Sequence, residues 1–169
     1  AKANARREEI IGIGVSSQGE TTIAVEANGR ALRRALVWLD NRATEQARQI
    51  AERFDLKRVY EITGDPEIVP TWTACKILWL KQNEPGAYKR LAKVILANDF
   101  IRYRLTGELG TDFSDAAGML MLDVAKRRWS SELMRALKLP ESLLVSLGES
   151  SQVMGRVTAF QHREALGGQ

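Results

Sequence analysis

Gln18 and Glu20 stand two residues apart in the polar stretch Ser16-Ser17-Gln18-Gly19-Glu20-Thr21-Thr22. In extended backbone alternate side chains share a face, so the amide and the carboxylate are expected to project together. That pair suits recognition of sugar hydroxyls, because each hydroxyl both donates and accepts a hydrogen bond. Trp38 closes the next β-rich run and offers an apolar wall for the carbon face of a sugar or polyol. The same residues also read as an ordinary hairpin turn with solvated polar tips. Residue chemistry alone leaves both readings open.

Other chemistry-bearing residues are fewer. Asp112 and Asp115, in Thr111-Asp112-Phe113-Ser114-Asp115, read as a general-base pair or as caps of a tight turn. Asp and Ser in such turns usually bond local backbone N–H groups, and capping is the reading adopted here. Cys75 is the only cysteine and His162 the only histidine. A disulfide framework, a cysteine zinc cluster and a histidine-based triad are thereby disfavoured. Cys75 is expected to pack rather than react, and no metal site is expected. Gly12-x-Gly14 fails as a dinucleotide fingerprint, since Ser17 stands where a third glycine belongs. The two glycines are expected to let a strand approach a neighbour or a ligand closely.

The elements that must hold these groups follow from pattern. The 169 residues, 44% apolar and 27% charged, describe one globular domain. No apolar run approaches the roughly 20 residues needed to span a bilayer. The opening residues lack an apolar signal core. No membrane partner and a cytoplasmic location are the expectation. The net charge of +4 is modest, and Arg33-Arg34 and Lys126-Arg127-Arg128 are short clusters, so no nucleic-acid partner is expected. Residues 1–9 read as a charged lead-in and residues 10–169 as the domain. Residues 10–15 read as a strand, followed by a hairpin turning at Asn28-Gly29 and ending at Trp38. Asp40 or Asn41 is expected to cap a helix to residue 54, and Thr71 or Thr73 one through Leu80. Pro85 opens a short helix to Leu91. Residues 94–96 read as a buried strand, Asn98 caps a helix that Gly107 stops, and 111–118 is a polar turn before an apolar run at 119–122. A helix from Trp129 or Ser130 to Leu137, a short one at Pro140, a strand at 153–157 and an unfinished helix from 159 complete the reading. Alternating strands and helices point to an α/β layer architecture with few strands for this much helix.

Three segments carry a family resemblance. Ser17-Gln18-Gly19-Glu20-Thr21-Thr22 with Val37-Trp38-Leu39-Asp40-Asn41-Arg42 is the first. Thr73-Ala74-Cys75-Lys76-Ile77-Leu78-Trp79-Leu80-Lys81-Gln82-Asn83 is the second. The third runs from Asp99-Phe100-Ile101 through Thr111-Asp112, Ser114-Asp115-Ala116-Ala117 and Leu122-Asp123-Val124 to Trp129. Together they resemble the FGGY family of carbohydrate kinases, xylulokinase-type members above all. The resemblance implies an incomplete ribonuclease H-like, actin-like ATPase domain, lacking the first phosphate-binding hairpin. It implies that the chain is part of the substrate-binding N-terminal domain. It also implies a parent enzyme that moves the ATP γ-phosphate to a hydroxyl of a ketose, polyol or sugar acid.

In similar kinases the turn at Gln18-Gly19-Glu20 and the tryptophan at Trp38 line the substrate pocket, and the turn holding Asp112 shapes the cleft floor. Substrate-binding residues are therefore expected at Gln18, Gly19, Glu20, Trp38 and Asp112. Glycerol kinases carry an arginine where Gly19 stands, a departure that argues against glycerol and leaves room for a bulkier sugar or polyol; glycerol kinase-like members also carry a substrate-contacting tyrosine where Thr71 stands, a contact not expected here. Lys76 is expected only to cap or pair. The catalytic base is expected beyond Gln169 and none within the chain, so this segment alone is expected to be inactive. ATP and Mg²⁺ are expected cofactors of the intact enzyme, without tight binding here. A small-molecule sugar or polyol is the expected partner, and a homodimer is compatible. A non-catalytic sugar-binding or regulatory domain of the same fold is the alternative.

Overall fold

A computed structural model describes residues 6–158. Six short strands and seven helices alternate in an α/β arrangement. The strands join as three two-stranded pairs among the described residues. β1 (Ile23–Val25) runs antiparallel to β2 (Lys93–Ile95), with Ile23 opposite Ile95 and Val25 opposite Lys93. β3 (Gly110–Asp112) runs parallel to β6 (Ser146–Gly148). β4 (Leu122–Asp123) pairs with β5 (Arg128–Trp129).

Between β1 and β2 lie α1 (Thr44–Arg53), α2 (Leu56–Thr63), α3 (Thr73–Asn83) and α4 (Pro85–Tyr88). Then come α5 (Ala97–Thr106), α6 (Phe113–Ala117) and α7 (Ser131–Ala136). α3 is the central helix. Ala74, Cys75, Ile77 and Leu78 are buried in one core cluster with Ala47 and Ile50 of α1, Val59 and Ile62 of α2, Leu133 and Met134 of α7 and residues 119–122, and Leu80 is buried as well. A smaller cluster of Ile23, Val25, Ile95 and Val145 seals the first strand pair against Phe100 and Leu109.

The Asn28-Gly29 turn forms as the sequence predicts. Gly29 takes φ +76° and donates its N–H to the Glu26 carbonyl at 2.8 Å. The returning arm meets the first through isolated bridges, Ala31 opposite Val25 and Leu36 opposite Thr22, and through the Leu32 N–H on the Ala24 carbonyl at 2.9 Å. Gly107, at φ +80°, ends α5 as expected.

Several expected elements differ. Residues 10–15 are not a strand. They find no ladder partner among the described residues, Ile10, Ile11 and Ile13 are exposed, and no atom lies within 4 Å of a Cβ built on Gly12 or Gly14. The lead-in contains a 3₁₀ turn at Arg7–Glu9, closed by the Glu9 carboxylate on the Arg6 N–H at 3.0 Å. α1 starts three residues late because Asp40 turns to Arg42 instead of capping. α2 was missed, although Asp55 caps it through the Lys57 N–H at 3.0 Å and Gly64 stops it at φ +79°. α3 has no side-chain cap, and Trp72 rather than a threonine occupies that position. α4 ends at Tyr88. Asn98 does not cap α5; Leu96 holds the cap position and Asp99 reaches back to its N–H at 3.0 Å. The polar turn at 111–118 is β3 and α6, and the last strand is β6 rather than 153–157, which is irregular. The expected helix from 159, and with it His162, lies outside the described residues.

Candidate functional site

The segment from Gln18 to Thr22 is folded, not extended. Gly19 and Glu20 make a bend, and the Thr21 N–H bonds the Gly19 carbonyl at 2.7 Å. Glu20 sits at φ +51°, a left-handed conformation that non-glycine residues adopt at a cost. This breaks the period-two alternation, so Gln18 and Glu20 do not project side by side. The Gln18 side chain folds onto Thr21, its Nε2 donating to Oγ1 at 2.9 Å. The Glu20 carboxylate runs instead to the end of α6 and lies against Gly118.

The structure leaves the Glu20 carboxylate apart from Gln18 and Trp38, and joins the Gln18 side chain to the backbone of Trp38 through the Thr21 hydroxyl. That buried hydroxyl oxygen accepts from Gln18 Nε2 and also from the Trp38 N–H at 3.3 Å. One oxygen therefore joins the polar turn to the arm that carries the tryptophan. Trp38 is 45% exposed, as its neighbours Val37 and Leu39 also are in large part.

Behind this surface the arms are fixed by charge. Arg42 Nε lies 2.9 Å from both Asp40 carboxylate oxygens, and that bond holds Asp40 below the usual carboxylate range. The Arg42 guanidinium rests over the Trp79 ring at 4.8 Å, with Arg33 near the same ring at 5.4 Å. From α3 below, Lys76 donates its ammonium to the Glu20 carbonyl at 2.7 Å. Burial pushes this lysine down to about 8, partly opposed by the charges of Asp40 and Glu20. Asp65 is pushed up to about 6, first by burial and further by the Glu20 charge.

Asp112 belongs to a different part of the surface. A cleft of about 170 Å³ is lined by residues 15–17, Asn98, Asp112, Ser114, Asp115 and Ser150. Asp112 caps α6, accepting from the N–H groups of Ser114 at 2.9 Å and Asp115 at 3.1 Å, and from the Ser150 hydroxyl at 3.1 Å. Its Oδ1 is spent on those three donors, in keeping with the capping role. Asp115 accepts from Asn98, and burial together with the Asp112 charge raises it. Asp112 and Gly118 stand at opposite ends of α6, so Asp112 reaches the same region as Glu20 only through the length of that short helix.

Cys75 is fully buried, its thiol pushed up to about 12 by burial and its Sγ 3.3 Å from the Val69 carbonyl, which makes it a packing residue. Among the described residues no group of three or more His, Cys, Asp or Glu is placed to hold a metal, and no helix is long and apolar enough to cross a membrane. Sequence reasoning missed Thr21, Gly118, Asp65 and the grip of Lys76. Lys76 had a signal: a lysine inside the apolar stripe of α3 must meet a partner or pay heavily in desolvation.

Comparison with known proteins places this geometry in context. The profile of the FGGY family of carbohydrate kinases, N-terminal domain, matches residues 1–168. A xylulose kinase of Escherichia coli K12 is 36% identical over 148 residues, covering 88% of this chain and 30% of that enzyme. A glycerol kinase of Thermococcus onnurineus is 33% identical over 172 residues, covering 98% of this chain and 33% of that enzyme. Among solved structures, a xylulose kinase from Brucella ovis superposes with a TM-score of 0.82 at 35% identity, over 92% of this chain and 31% of that one. The chain thus spans about a third of the length of the relatives it matches. Their α/β fold, ribonuclease H-like and actin-like, is the fold of this chain, present in part.

Proposed function

The chain belongs to the FGGY family of carbohydrate kinases, and from that premise we propose that it forms the sugar- or polyol-binding face of an ATP-dependent kinase. Gln18 and Glu20 hold hydroxyl groups, Gly19 leaves space above the bend, and Trp38 covers the carbon face. Asp112 shapes the floor of the neighbouring cleft. The observation that supports this reading best is the Thr21 hydroxyl, which joins the Gln18 turn to the half-exposed Trp38 through bonds of 2.9 and 3.3 Å. The tie fixes the two arms against each other, and ordering the backbone before a ligand arrives lowers the entropic cost of binding.

The reaction assigned is transfer of the ATP γ-phosphate to a hydroxyl of a ketose, polyol or sugar acid, with a ketose of the xylulose type first. ATP supplies the phosphoryl group and Mg²⁺ neutralises its charge. No residue of this chain is assigned to hold either one, and none is assigned as the base. The glycine at position 19 favours a substrate bulkier than glycerol. The protein is placed in the cytoplasm, where ATP and unphosphorylated sugars meet.

The test is phosphorylation by the full-length protein that contains this chain, across D-xylulose, D-gluconate, ribitol and glycerol with ATP-Mg²⁺. The expected outcome is ADP release stimulated by D-xylulose or another five- or six-carbon acceptor, and not by glycerol. Binding of a sugar with no ADP release under any acceptor would replace the kinase reading with that of a non-catalytic binding domain. Absence of binding to all four would remove the sugar site.

A further inference from the structure

Glu20 presents a problem of support. Its carboxylate is the charged group of the proposed site, yet its backbone lies at φ +51°, a left-handed conformation that a non-glycine residue adopts only at a cost. The hydrogen bond from the Thr21 N–H to the Gly19 carbonyl is too local to impose it. Something outside the turn must hold residue 20 in place.

α3 holds the segment from outside. Its first turn presents Thr73 and Lys76, three residues apart and therefore on one face. Both are completely buried. Thr73 Oγ1 lies 3.1 Å from Thr22 Oγ1, and Lys76 Nζ lies 2.7 Å from the Glu20 carbonyl oxygen. The two contacts grip residues 20 and 22 from below. A carbonyl that accepts a buried ammonium at that distance cannot rotate away without leaving a charge unpaired in the core, and that loss exceeds the strain at φ +51°. The carbonyl's orientation fixes ψ of Glu20, and with it the direction in which the side chain leaves toward Gly118.

The charge balance makes lysine specific here. Asp40, on the Trp38 arm, and Glu20, on the turn, are the two carboxylates that favour the charged ammonium. Asp40 is itself oriented by Arg42 against Trp79 of α3. Lys76 therefore sits beneath the junction of both arms.

We propose that Lys76 is a positioning residue, whose buried ammonium locks the Glu20 backbone so that its carboxylate stands ready for the acceptor hydroxyl. This rests on the reading of Glu20 as a substrate-contacting group. The variants are Lys76→Met, which keeps length and burial but removes the donor, and Lys76→Gln, which keeps a neutral donor. Both are made in the full-length protein, beside Glu20→Gln and the double variant Lys76→Met/Glu20→Gln. Crystal structures of the variants and the KM-against-kcat split with D-xylulose are the readouts.

In Lys76→Met, Glu20 is expected to leave the left-handed region and its carboxylate to leave Gly118. KM is expected to rise about tenfold with kcat within about twofold, a factor of ten being about 1.4 kcal/mol. Lys76→Gln should recover part of the loss. The double variant should be no worse than Glu20→Gln, because Lys76 acts through Glu20. Glu20 unmoved in Lys76→Met overturns the proposal, as does additivity in the double variant. Failure of both lysine variants to fold also overturns it, since positioning alone leaves the core intact. If Glu20→Gln leaves KM unchanged, the substrate reading of Glu20 falls, and the lysine's hold on the backbone is decided by the crystal structures alone.

Discussion

Gly118 provides the sharpest probe of where the Glu20 carboxylate must be. Its backbone, φ −72° and ψ 8°, is open to any residue, so a side chain can be added there without strain in the chain itself. A Cβ at that position lies 3.0 Å from Glu20 Oε1, 3.4 Å from its Cγ and 3.6 Å from its Cδ. Gly118→Ala therefore pushes the carboxylate aside by a few tenths of an ångström, and Gly118→Val pushes it further. A hydrogen bond from a substrate hydroxyl to a carboxylate contributes about 1.5–3 kcal/mol. Full displacement costs about 10- to 150-fold in affinity, and the partial displacement by alanine about 3- to 10-fold. The folding effect has the opposite sign. Replacing glycine by alanine in a permitted conformation restricts the unfolded chain and stabilises by about 0.4–1 kcal/mol. Calorimetric titration of the full-length protein with its best acceptor, beside thermal unfolding, separates the two effects. Weaker binding with unchanged or raised melting temperature is the expected pair, graded from alanine to valine. Undiminished affinity in a folded Gly118→Val protein would show that the Glu20 carboxylate does no work on the ligand.

Three further outcomes follow from the surrounding groups. Asp65 holds its proton more tightly folded than unfolded, so its ionisation opposes folding above pH 6 and the opposition fades as pH falls toward 3.8. Asp65→Asn should stabilise by roughly 1–2 kcal/mol at pH 7 after allowance for solvent screening, and the gain should vanish near pH 4; equal urea midpoints at pH 7 refute this. Asp99 is buried and joins the Leu96 N–H at 3.0 Å to Arg102 at 2.8 Å, so Asp99→Ala strands the Leu96 N–H and leaves Arg102 the Gly110 carbonyl alone, and should cost about 1–3 kcal/mol in urea unfolding; an unchanged urea midpoint would mean that neither donor depends on Asp99. Gly29→Ala forces a side chain at φ +76° to within 1.9 Å of the Tyr103 hydroxyl, and a loss of about 1–3 kcal/mol is expected, with unchanged stability refuting the turn geometry.

The parts of the fold that the sequence announced are those governed by neighbours along the chain. Asn28-Gly29 turns and Gly107 stops a helix because a left-handed residue is needed at one position, and glycine supplies it cheaply. The buried strand at β2 shows as an apolar run, and the stripe of α3 shows as core. β6 was invisible because Ser146, Leu147 and Gly148 have neither alternation nor β-branching. It becomes a strand only by pairing with β3, 36 residues earlier in register. Residues 10–15 show the reverse. They have the composition of a strand, but composition supplies no ladder, and without a partner the segment lies exposed.

The site divides along the same line. Gln18, Glu20 and Trp38 stood out in the sequence because their side-chain types suit hydroxyl recognition, and the structure ties the Gln18 side chain and the Trp38 backbone to one threonine. Their orientation was not legible. The expectation that Gln18 and Glu20 share a face assumed extended backbone, and the bend at Glu20 removes that premise. The bend is in turn enforced across 56 residues by Lys76, whose own place was fixed by an apolar helix that gives a lysine no reason to be there. A charged residue in an apolar stripe is therefore the one feature of this sequence that pointed from the core to the surface. Read as a debt of desolvation, it demands a partner rigid enough to justify it. The partner that meets that demand is the backbone carbonyl of Glu20, 2.7 Å from the lysine ammonium, so the helix that looks like pure core also sets the turn that carries the proposed carboxylate.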